Sequence, residues 1–172
     1  MHSEQRTRTS SGSPSSAQVR GMKYSDEIRL ITTELAGTPE LIQQMLDDAP
    51  QSVGLWMLWE PNAFDNQDGQ NINGKDGNND QTGRFTPYWI RDNNQINVQS
   101  LVEYDSTAAH PNGIIKGAWY QNPQKNRRQT VTAPLPYVVQ GKNVWLATLS
   151  VPVVANDRFL GVTGADYNLA FV

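Results

Sequence analysis

The chain is expected to fold as one α+β domain: an antiparallel sheet of about five strands, with N-terminal helices packed on one face. Three observations predict this. Apolar residues recur at helical spacing only before residue 50. From Val53 onward the pattern changes to alternation or to short buried runs. The last third carries turn pairs at hairpin spacing, Gly141-Lys142 and Asn156-Asp157. At 172 residues the chain has room for a single core.

Met1–Gly21 is rich in Ser, Thr, Arg and Gln and nearly free of apolar residues. Such a stretch cannot bury enough surface to offset its ordering entropy, so it is expected to be a disordered leader or appended tail. The ordered unit is then residues 22–172. Tyr24, Ile28, Ile31 and Leu35 share one helix face, and Gly37 follows as a stop. Thr38-Pro39-Glu40 reads as N-cap, first-turn proline and first-turn acid. Leu41, Ile42, Met45 and Leu46 carry that second helix to Asp48, and Ala49-Pro50 ends it.

Ser52–Trp59 is a strand with Val53, Leu55, Met57 and Trp59 on one face and Trp56 and Leu58 on the other. Both faces are apolar, so the strand belongs at the centre of the sheet. Further strands are expected at Arg84–Arg91, Ile96–Val102, Gln129–Val139, Val144–Val154 and Phe159–Asp166, with a short helical turn near Gly117–Asn122. The Asn/Asp/Gly-rich stretch Asp65–Gly83 lies between two aromatic strands. It is expected to form a polar lid over a ligand.

Composition excludes several functions. The formal charge of −3 argues against a nucleic-acid footprint, and Lys125-Asn126-Arg127-Arg128 reads as a solvated turn. With no cysteine there is no disulfide framework, thiolate metal site or cysteine nucleophile. No apolar run approaches the ~18 residues of a membrane span. Met1–Arg20 lacks the apolar centre of a signal peptide. Asp65 to Asp76 fails the calcium-loop pattern, because Gln67 stands at position three and Asp76 at position twelve. No metal or cofactor is implied. Glu60 and Asp65 form the one carboxylate pair that a hydrolase reading can use.

Gly54-Leu55-Trp56, Trp59-Glu60-Pro61-Asn62-Ala63-Phe64-Asp65, Thr82-Gly83-Arg84-Phe85 and Pro87-Tyr88-Trp89-Ile90-Arg91 carry a resemblance. So do Trp119-Tyr120, Pro123, Ser150-Val151-Pro152-Val153 and Phe159–Asp166. In order and spacing they resemble the membrane-distal module of double Cache domains, the PAS-like extracytoplasmic sensors of bacterial chemoreceptors and histidine kinases. The resemblance spans Lys23 to Leu169. It implies a non-enzymatic module that binds an amine, amino acid or other small metabolite on the periplasmic side of the inner membrane, as part of a membrane-anchored parent. It also implies pocket-lining roles for Tyr88, Trp89, Trp119, Tyr120 and Asp166, with Asp105 as a further candidate. Asp166 ends an apolar strand, where it either caps the next turn or awaits a cation. Tyr88 and Trp89 are adjacent, so at most one faces a pocket. Ala118 and Ala133 stand where the family often carries acids, which removes negative charge from the expected site. The alternative is a structural module with a degenerate pocket that dimerises through its N-terminal helix.

Overall fold

The computed structural model describes residues 39–92, 95–132, 134–139 and 142–169. The expected leader and the helix at Tyr24–Leu35 lie outside these residues. Helix α1 is Pro39–Asp48, and strand β1 is Ser52–Trp59. A single 3-10 turn at Asp68–Gln70 interrupts the Asn-rich segment. Strands β2 (Pro87–Asp92) and β3 (Gln95–Ser100) follow, then helix α2 (Ala118–Asn126). The chain finishes with β4 (Thr130–Val131), β5 (Leu135–Val139), β6 (Lys142–Ala155) and β7 (Arg158–Asn168).

All pairings are antiparallel, in the order β3-β2-β1-β7-β6-β4, with β5 also on β6. The sheet therefore has seven strands rather than about five. The single strand expected over Gln129–Val139 is divided in two. Thr132 bonds Thr148 across the gap between them, through its amide and its hydroxyl. At the other end, Asn156 and Asp157 both take left-handed φ, 50° and 59°, and form the tight β6–β7 turn. Asn and Asp tolerate this conformation because their side chains bond locally.

The double-sided apolar pattern of β1 produces two cores. On one face Met57 and Trp59 join Ile42 and Leu46 of α1, with Trp89 and Val153. On the other Trp56 and Leu58 join Tyr120 of α2, with Phe159 and Val162. Leu58 and Leu46 have no accessible surface, and Ile42 is 1% exposed. Burial of such side chains contributes roughly 1.5–3 kcal/mol each. The N-terminal helix thus packs on one face as expected. The segment read as a short helical turn is a nine-residue helix that covers the opposite face. Its end is fixed by Arg127, whose left-handed backbone donates to the Pro123 carbonyl.

Candidate functional site

Sequence parity sets the site. On β7, Gly164 and Asp166 point to the α2 face; Asp166 is paired with Gly54 of β1 and Thr148 of β6. Gly54 and Gly164 leave the floor low. A Cβ at Gly164 would stand 2.2 Å from the Trp56 ring, and one at Gly54 would stand 2.6 Å from the Tyr88 ring. Both rings therefore lie across backbone that carries no side chain. The result is a cavity of about 160 Å³ between the sheet and the segment that follows β3. Trp56, Tyr88, Leu146, Thr148 and Asp166 line its sheet side. Leu101, Glu103, His110, Ile114, Ile115, Lys116 and Trp119 line the other. Trp56 and Trp119 meet edge to face, with centroids 4.8 Å apart.

Asp166 is the chemical centre of this cavity. The Thr148 hydroxyl donates to Oδ1 at 2.6 Å, and the Tyr88 and Trp56 side chains also donate to the carboxylate. Desolvation dominates and pushes the carboxyl above its ordinary value of 3.8; the three hydrogen bonds oppose it only in part. Asp166 is half-buried and lines the cavity. Such a carboxylate is costly alone and is relieved by a cation. At the opposite wall the Lys116 ammonium sits 2.6 Å from Glu103, an ion pair with roughly a third to a half of each side chain exposed.

The structure brings Tyr88, Trp119 and Asp166 together and places the other three candidates elsewhere. Trp89 points to the α1 face and is 7% exposed in that core. Tyr120 faces a polar clasp, where its hydroxyl donates to Glu60 and is joined by Arg84 and Gln124. Asp105 lies beside that clasp in a wider hollow of about 930 Å³. The hollow is an open groove in which Glu60, Arg84, Tyr120 and Gln124 bond one another. Arg84 donates to the Trp59 carbonyl at 2.9 Å and lies over the Tyr104 and Tyr120 rings. Aromatic walls and a desolvated acid make the smaller cavity the candidate site. Trp56, Thr148, His110 and Lys116 were missed by sequence reasoning. Once β1, β6 and β7 are aligned, parity alone points Trp56 and Thr148 toward Asp166. No local signal marks the other two.

The Asn-rich stretch is not the roof of this cavity, because none of its residues lines it. Phe64 and Phe85, at the two ends of the stretch, stack at 4.1 Å and 9° on the α1 face. Gly77 lies against the Val98 carbonyl of β3, and Asp80 accepts from the Tyr104 hydroxyl at 2.6 Å. Burial favours a protonated Asp80, but bonds from Tyr104, Thr82 and the Arg84 amide outweigh it and hold the carboxyl below its ordinary range. Tyr104 is pushed up to about 12 by its own burial and by Asp80. The loop's other aspartates accept nearby amides: Asp65 from Gln67, Asp68 from Asn62, Asp76 from Asn78. Of the hydrolase pair, Glu60 is bound into the Tyr120 clasp and Asp65 into its own turn.

Residues 39–172 match the family described as methyl-accepting chemotaxis protein-like, first PDC sensor domain. The chain is 27% identical over 148 residues to methyl-accepting chemotaxis protein TlpQ of Pseudomonas aeruginosa, covering 84% of this chain and 19% of that protein. Among solved structures, an extracellular domain described as that of a histidine kinase, mmHK1S-Z2, matches with a TM-score of 0.64 at 29% identity. That match covers 89% of this chain and 50% of the other. The periplasmic sensory domain of the Campylobacter jejuni chemoreceptor Tlp1 shares the fold, with a TM-score of 0.54 at 12% identity over 88% of this chain and 54% of that one. The chain thus spans about a fifth of the curated relative and about half of each solved domain. These are sensing domains, not enzymes, and the chain belongs to the methyl-accepting chemotaxis protein-like family as a first PDC, or Cache-type, sensor domain.

Proposed function

We propose that this domain is the extracytoplasmic ligand-binding part of a membrane-anchored transducer, and that its cavity takes a compact organic amine. One observation carries the reading: Asp166 sits at the floor of an aromatic-walled cavity with its carboxyl pushed up by desolvation. An ammonium group there restores the charge balance beside the aromatic side chains of Trp56, Tyr88 and Trp119. The resemblance to extracellular and periplasmic sensory domains supports the placement. Lys116, the cation nearest to hand for a ligand carboxylate, is already paired with Glu103. That pairing favours a plain amine over the amino acid bearing the same side chain.

Signal transfer requires that the ligand favour one packing of the domain over another. Here α2 carries Trp119 on the cavity side and Tyr120 on the clasp side, so a shift of the helix moves both. The test is a thermal-shift panel of primary amines, each beside its α-amino acid. Saturating binding at one hundred times Kd adds about 2.7 kcal/mol of stability, a readily measured rise in Tm. A panel in which no amine raises Tm overturns the reading.

A further inference from the structure

The roof of the cavity is a small hairpin, and its attachment is local. Ala108–Lys116 closes through Lys116 N–H to the Ala108 carbonyl at 2.9 Å and His110 N–H to the Ile114 carbonyl at 2.8 Å. Gly113, with φ 83°, makes the turn. The hairpin supplies His110, Ile114, Ile115 and Lys116 to the cavity. At its base a single side chain from α2 reaches back: Gln121 Nε2 donates to the main-chain oxygens of Tyr104 at 3.1 Å and Ser106 at 3.0 Å. Two carbonyl acceptors fix which end of the amide faces them. Gly117 N–H adds a bond to the Ser106 carbonyl at 3.2 Å. A Cβ at Gly117 would stand 2.5 Å from the Tyr104 oxygen, 2.9 Å from the Ser106 oxygen and 2.3 Å from Gln121 Nε2, so this junction closes only around a glycine. The Ala118 N–H of α2 also donates to the Ile115 carbonyl at 3.1 Å, and across the roof lies the partly exposed Lys116–Glu103 pair, of a kind that holds weakly.

We propose that Gln121, seated against Gly117, is the positioning residue that holds the hairpin over the cavity, and that solutes reach the cavity when this junction opens. Gln121 does not line the cavity. It acts through the roof it tethers. The assignment rests on the cavity being the binding site, yet its test needs no ligand, so the two readings fail separately.

The test is hydrogen exchange on the whole chain, comparing wild type with Gln121→Glu, Gly117→Ala and Gln124→Ala. Gln121→Glu keeps the shape and removes both donors. Gln124 lies one turn further along α2, in the clasp. The His110, Gly113 and Lys116 amides are expected to exchange on the order of tenfold faster in both junction variants, while β1 and β7 amides keep their wild-type rates. Gln124→Ala leaves the hairpin rates unchanged. In parallel, chains labelled with 5-fluorotryptophan are exposed to the nitroxide 4-hydroxy-TEMPO. Broadening of the Trp56 and Trp119 signals is expected to rise several-fold in the junction variants, with the Trp89 signal unaffected. Unchanged hairpin exchange in Gln121→Glu, or acceleration spread evenly through β1 and β7, overturns the assignment. So does faster exchange without greater nitroxide access to Trp56 and Trp119.

Discussion

Replacing Asp166 with Asn separates a binding group from a structural one. In the free domain the ionised carboxylate is a liability, because burial raises its pKa above 3.8. A group raised in the folded state favours folding when protonated. Its contribution is complete below pH 3.8 and is lost as pH climbs through the raised value. The ligand-free Asp166→Asn protein is therefore expected to melt no lower than wild type at pH 8, and to lose any advantage below pH 3.8. Binding moves the other way. An ammonium ~4 Å from the carboxylate gains ~4 kcal/mol at an effective dielectric of ~20, before its own desolvation is subtracted. Removing one partner of a buried charge pair costs about 2–4 kcal/mol net, or roughly 30- to 1000-fold in Kd. Isothermal titration with the amine that most raises wild-type Tm reads this directly. Across pH, wild-type affinity is expected to be flat above the raised carboxyl pKa and to fall about tenfold per pH unit below it, as protons compete for the site. The variant is expected to be flat throughout. If Asp166→Asn keeps wild-type affinity and melts several degrees lower, Asp166 is a structural group and the reasoning fails.

Other perturbations have defined outcomes. Gly164→Ala drives a methyl into the Trp56 ring and the Leu149 carbonyl, 2.2 and 2.4 Å away. It is expected to cost about 1–3 kcal/mol in a chemical denaturation and to weaken amine binding as Trp56 shifts. Tyr120→Phe removes the hydroxyl shared by Glu60, Arg84 and Gln124. It is expected to lower stability by about 1–3 kcal/mol, with Kd unchanged within about threefold. Glu103→Gln frees Lys116 from its 2.6 Å partner. Titrating an amine and its α-amino acid side by side is expected to show the amino acid gaining about three- to tenfold, the scale of a partly exposed ion pair.

The sequence carried the sheet well because β1 is apolar on both faces and its neighbours alternate. Asp166, Tyr88 and Trp119 were named by their places in the resembling motifs, and strand parity by itself left Tyr88 and Trp89 undecided. The failures share a cause. Trp89 and Tyr120 are each one residue from a cavity residue, and one residue on a strand or about 100° on a helix turns a side chain into the opposite core or the clasp. Trp56 reads as core and is core, at 2% exposed, yet it also lines the cavity. The Asn-rich stretch looked like a lid because polar turn formers mark a loop without saying which surface it covers. The Phe64–Phe85 stack, set by two residues 21 positions apart, decides that. The roof, Ala108–Lys116, is short and of mixed composition, and it shows itself only through its own closing bonds and the side chains it gives to the cavity.

The domain's five tryptophans provide the most direct test. Trp56 and Trp119 line the cavity, Trp59 and Trp89 belong to the opposite core, and Trp145 is 56% exposed on β6. Titrating the amine panel into nitrogen-15-labelled protein and following the five indole N–H signals locates the ligand without a crystal. The account predicts saturable shifts of the Trp56 and Trp119 signals, with Trp59, Trp89 and Trp145 still. Amines that move only Trp145, or none of the five, would contradict it.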